Sequence, residues 1–143
     1  MRNFNITLLL FVVLFSNCNA QQESLEGSLE IEYTARTRGS SVIIIYKENS
    51  LTLRSTSEDK LINLKEENIK RIHVEVSKIK LSEIKGLKAP TEKRFTDGAL
   101  SAHFVIKKEG ITYVSSDFDH EYPPKELTML YDTLIAIIQK ASK

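Results

Sequence analysis

Between residues 29 and 55 the chain alternates apolar and polar side chains in three successive runs, and the turn signals between the runs dictate how they pair. Leu29, Ile31, Tyr33 and Ala35 alternate with Glu30, Glu32, Thr34 and Arg36, the pattern of a strand with one buried face. Arg38-Gly39 suits a tight turn, because Gly accepts positive φ. With Thr37 set against Ser40, Ala35 faces Val42, Tyr33 faces Ile44 and Ile31 faces Tyr46, so apolar meets apolar. A second turn at Asn49-Ser50 places Tyr46 opposite Leu53 and Glu48 opposite Leu51. The expectation is a three-stranded antiparallel meander.

The same alternation sends Ile43 and Ile45 to the reverse face, beside Lys47, Thr52 and Arg54. Two β-branched residues there need cover. Either a following helix over residues 65–79 packs on them, giving a sheet with a helix on each face, or Ile43 and Ile45 centre a contact rimmed by Lys47 and Arg54.

Residues 61–79 are the least decisive stretch. Ile69, Ile72, Val76 and Ile79 step by three, four and three, and Asn63 followed by Glu66 has the form of an N-terminal cap, so a helix is expected. The β-branched run from Ile72 to Val76 argues for a strand. Residues 81–96 read as a connection with a short helical turn at residues 82–85. Leu100, Ala102, Phe104 and Ile106 then alternate as a strand, and a hairpin across Glu109-Gly110 sets Ile106 against Tyr113 and His103 against Ser116. After Pro123-Pro124, apolar residues fall at Leu127, Leu130, Tyr131, Leu134, Ile137, Ile138 and Ala141, the strongest helical periodicity in the chain. The fold class expected is α+β, a single antiparallel sheet of about five strands in the order βββ-α-ββ-α with two helices packed on it.

The first twenty residues carry Arg2, an unbroken apolar run over residues 6–15 and a polar stretch ending in Ala20. Ten apolar residues are too short to span a membrane, which needs about 20 in a helix, but suit the core of a signal peptide. Export is therefore expected, with residues 21–28 a flexible lead-in and residues 29–143 one domain. Cys18 offers an alternative as a lipid attachment point, although Phe15 and Asn17 are not the usual flanks. The protein meets a membrane only in that case.

The 143 residues include 41% hydrophobic and 27% charged, ordinary for one globular core, with Lys and Arg nearly balancing Asp and Glu. Neutrality with interleaved signs disfavours nucleic acid. Nucleophile elbows, His-Glu-x-x-His and phosphate loops are absent from the sequence, and no cofactor is expected.

One polar cluster stands out. Asp117, Asp119, His120 and Glu121 fall within five residues, with His103 across the hairpin. Carboxylates with imidazoles can hold Zn, Mn or Ca, and Asp117, Asp119, His120 and His103 would also serve a small metal-dependent or acid–base enzyme. The simpler expectation is that Asp119 or a neighbour caps the helix that follows, leaving no metal and no catalytic residue. His73 is expected at the boundary or surface of its helix.

The residues Ala89-Pro90-Thr91, Asp97-Gly98-Ala99, the run from Tyr113 to His120, and Pro123-Pro124-x-x-Leu127 together resemble small exported bacterial proteins of uncharacterised function. The likeness covers the last third of the chain and implies no role for any residue. The expectation is an exported, non-enzymatic domain of the periplasm or envelope that binds a protein partner or associates with itself.

Overall fold

The computed structural model describes residues 28–142, so the expected signal segment over residues 1–20 and all but the last residue of the expected lead-in lie outside the described residues. Four strands come first: β1 (Leu29–Arg36), β2 (Ser41–Lys47), β3 (Ser50–Ser55) and β4 (Asp59–Asn63). Helix α1 (Glu66–Ser77) and two 3₁₀ turns (Leu81–Gly86 and Lys93–Thr96) lead to β5 (Ser101–Lys108), β6 (Ile111–Val114) and the two-residue β7 (Phe118–Asp119). Helix α2 (Lys125–Ala141) closes the fold. The class is α+β, with seven strands in one sheet where about five were expected.

In space the strands run β4-β3-β2-β1-β5-β6, with β7 also on β5. The chain leaves one edge after β4, crosses through α1, and returns so that β5 pairs antiparallel with β1 along its whole length, from Leu29 opposite Lys108 to Arg36 opposite Ser101. The β1–β2 register is the one that matching apolar faces requires: Ala35 with Val42, Tyr33 with Ile44, Ile31 with Tyr46. Its turn is closed by Thr37 N–H donating to Ser40 O, and Gly39 does not use positive φ.

The β2–β3 register differs from expectation by two residues, with Tyr46 opposite Leu51 and Ile44 opposite Leu53. Glu48 and Asn49, at φ 48° and 61°, form the turn. Two left-handed residues in succession are what a type I′ hairpin needs, and its twist matches that of the strands it joins. A shift of two keeps every side chain on its face, so the core is the one the alternation implies.

The first helix is shorter than the pattern suggests. Asn63 ends β4 and is not a cap; α1 starts after Lys65, whose side chain caps nothing, and Glu66 and Glu67 complement the positive end of the helix dipole. Burial decides the conflict over the β-branched run, because the helix buries Ile72 and Val76 in the core while its Val74 is exposed, the helical rather than the alternating pattern. In α2 the residues Leu127, Leu130, Tyr131, Leu134, Ile137 and Ile138 are all buried, each contributing about 1.5–3 kcal/mol of transfer free energy. Ala141, the last of that row, is exposed.

Both helices lie on the same face of the sheet. Ile72 and Val76 of α1 share a single core with Ile44, Tyr46 and Leu51 and with α2, and Tyr46 Oη reaches His73 Nε2 at 3.0 Å. The expected helix over Ile43 and Ile45 is therefore not there: α1 follows the Tyr46 side, because its apolar stripe and that of α2 are buried against one another as well as against the sheet. His73 is half-buried and bonded to a core tyrosine. Among the described residues no helix is long and apolar enough to cross a membrane.

Candidate functional site

A bulge in β5's partner decides where the polar cluster goes. Ser115 N–H donates to Phe104 O, and Phe104 N–H in turn donates to Ser115 Oγ. Two positions further along β5, Ala102 pairs with Phe118. One residue too many lies between, so Ser116 and Asp117 together oppose His103. Ser116 leaves the ladder: its N–H donates to Ile84 O and its hydroxyl to Leu87 O. The extra residue also reverses the alternation, carrying Phe118 into the core, where it is fully buried.

Asp119 is fully buried and bound on both oxygens. Oδ2 accepts from Thr91 Oγ1 at 2.5 Å and Lys93 N–H at 2.7 Å; Oδ1 accepts from Arg94 N–H at 3.0 Å and Arg94 Nη1 at 3.1 Å. Burial by itself would raise the carboxyl's pKa, but the bonds from Thr91, the two amides and the guanidinium outweigh it and hold the group at about 2. Asp119 thus caps the Lys93–Thr96 turn across the fold. The expected cap on α2 is absent: Pro124 occupies that position without a side-chain bond, and a proline there needs no N–H partner.

His120 turns inward, its Nδ1 2.6 Å from the hydroxyl of the fully buried Tyr33. Tyr131 and Phe104 pack on the same phenol, with ring centroids 5.2 Å and 5.0 Å away. Burial holds His120 below its ordinary value of 6.5, against the opposing pull of Glu121, and burial pushes both tyrosines up, Tyr131 to about 12. The contact ties the core strand to the turn before the last helix, and burial favours the neutral form of both groups.

Asp117 and His103 meet instead on the sheet's other face, Oδ1 to Nδ1 3.7 Å, both reachable by solvent. The four residues of the cluster therefore separate into a cap, a core bond and a loose surface pair. Among the described residues no three His, Cys, Asp or Glu side chains are grouped to hold a metal ion.

The face that carries Ile43 and Ile45 is the one the helices leave bare. Register places Leu61, Thr52, Ile45, Glu32, Val105 and Val114 in one row across six strands. Leu61 is 67% exposed and Val114 45%, while Ile43 and Ile45 are half-buried and outside the core cluster. Lys47 stands on the rim, 2.9 Å from Glu30, which also meets Lys107 at 3.6 Å; Arg54 lies exposed opposite Ile43. Ile43, Ile45, Lys47 and Arg54 thus share one face, as the alternation implies. Leu61, Val105 and Val114 join them through β4 and through the β1–β5 pairing, which local patterning does not reveal. Compared with family models, curated proteins and solved structures, the chain matches none.

Proposed function

We propose that this chain is an exported, non-enzymatic domain of the bacterial periplasm or envelope that binds a partner protein through the open face of its sheet. The observation that carries the reading is the placement of both helices on one side, which leaves Leu61, Ile45, Val105 and Val114, in one row with Thr52 and Glu32, without cover from the described residues. Exposed apolar side chains gathered on one uncovered face are a mark of interaction sites. The rim of Lys47, Glu30, Lys107 and Arg54 offers both signs of charge around an apolar centre, the usual make-up of a protein contact. Export rests on the leader pattern of residues 1–20, and the separation of Asp117, Asp119, His120 and His103 favours binding over catalysis.

Replacing Ile43 and Ile45 together by Thr tests this. Half-buried residues on an open face should lose about 1 kcal/mol or less, where core residues would lose several. The immobilised wild-type protein should retain an envelope component that the double variant, melting at nearly the same temperature, does not. Retention by both proteins alike, or a collapse in stability of several kcal/mol, would overturn the reading.

A further inference from the structure

The two edges of the sheet are treated differently. Beside β6 lies the Leu81–Gly86 turn, which buries its own Ile84 and is tied by Ile84 O and Leu87 O to Ser116 just past the strand. Beyond β4 no described segment pairs. The bonds Ser55 N–H to Glu58 O and Leu64 N–H to Asn49 O fix the phase of the β3–β4 ladder. Antiparallel pairs alternate between bonded and unbonded, so Lys60 and Ile62 spend their backbone groups on Leu53 and Leu51, while Asp59, Leu61 and Asn63 turn theirs outward. Edges of this kind are normally guarded by proline, a bulge or an outstretched lysine. β4 has no proline, and its one lysine is drawn aside, Lys60 Nζ donating to Ala141 O at 2.7 Å and Ser142 Oγ at 2.8 Å.

We propose that β4 pairs antiparallel with β4 of a second copy of this chain, across a two-fold axis at Leu61, joining two sheets into one. The strand is self-complementary about that residue. Leu61, the most exposed aliphatic side chain described, meets its own mate. Asp59 falls opposite Asn63 of the partner subunit, and Lys60 opposite Ile62 of the partner subunit, so no charge opposes its like. An axis at Lys60 would set lysine against lysine and use fewer of the outward groups. On the helix side a groove of about 270 Å³, floored by Ile62, Ile137 and Ala141, leaves room for the incoming Lys60 and Ile62. The pairing is isologous and closes on itself, and it does not depend on the open-face reading.

Sedimentation equilibrium of the purified protein, as released by cells producing the full chain, tests this. An edge pairing buries little area, so a monomer–dimer transition is expected between about 1 μM and 1 mM. Leu61→Pro removes only an outward N–H and Leu61→Lys places like charges across the axis. Both should be monomeric over that range with the melting temperature little changed; should the proline variant fail to fold, the lysine variant decides. The Ile43→Thr/Ile45→Thr protein should still dimerise. A wild-type protein that stays monomeric, its edge bare or taken by another extended segment, overturns the proposal. So does a dimer that survives both Leu61 variants, and one that only the Ile43/Ile45 variant breaks belongs to the open face instead.

Discussion

Tyr33 Oη lies 2.6 Å from His120 Nδ1, tying an interior strand to the turn that leads into the last helix. The phenol is fully buried and Nδ1 is the partner it has for its proton, which assigns the hydrogen of the neutral imidazole to Nε2. Because folding lowers the imidazole's pKa below 6.5, the folded state binds fewer protons than the unfolded one below that value. Its contribution to stability is complete above pH 6.5 and is lost as pH falls through the folded-state value. Melting temperature measured from pH 8 to pH 5 should be level and then decline, and His120→Gln should flatten the decline while lowering the level part.

Asp119 governs a second, more acidic limb. Its stabilisation is complete above the ordinary 3.8 and drains away as pH falls toward about 2. Asp119→Asn turns an amide donor toward the N–H groups of Lys93 and Arg94, and urea unfolding at pH 7 should show a loss of about 2–4 kcal/mol. The same variant should lack the wild-type decline below pH 4.

Thr133 sits on the buried side of α2 with Oγ1 unpartnered among the described residues. Exchanging the hydroxyl for a methyl group removes a desolvation penalty at nearly constant volume. Thr133→Val should raise unfolding free energy by about 1 kcal/mol, read as a higher urea midpoint with an unchanged slope. A loss would mean that the hydroxyl has a partner in solution.

The β5–β6 turn places Glu109 at φ 53° before Gly110 at φ 79°. Glutamate is a poor occupant of the left-handed region, whereas Asn-Gly is the favoured pair for a type I′ turn. Glu109→Asn gives up only a surface contact with Lys108 at 3.9 Å, worth little, and should stabilise by about 0.5–1 kcal/mol. Thermal denaturation of the two proteins side by side checks it.

What could be read from the sequence was local. Alternation assigns faces residue by residue, so the core side of Tyr33, Ile44 and Phe104, the β1–β2 pairing of Tyr33 with Ile44, and the reverse side of Ile43 and Ile45 follow without coordinates, whereas the β2–β3 register does not. The seven-residue spacing of Leu127, Leu134 and Ala141 settles α2 in the same way. β4 escaped notice because Asp59 to Asn63 is short and its alternation runs directly into the helical pattern of Ile69 and Ile72. The β1–β5 pairing joins segments with no shared turn, so nothing nearby in sequence encodes it. The polar cluster misled for a related reason: one bulged residue redirects each neighbour, and four ligands close in sequence end on different sides of the sheet. Alternation buries Tyr33, whose hydroxyl then needs a partner, but nothing nearby in sequence names His120 as that partner.

The long return from β4 to β5 bears on how the chain reaches this state. β1 to β4 are joined by tight turns and can zip together early, but β1 keeps one side unsatisfied until β2, β3, β4 and α1 have all been made and Ser101–Lys108 arrives. Loop closure of that span is the slow kind of contact in antiparallel topologies. A nascent chain interrupted anywhere before Lys108 would hold the apolar side of a preassembled four-strand sheet open at its future centre. The half-synthesised chain thus carries two open edges, β1 and β4, and the late strand closes the first of them.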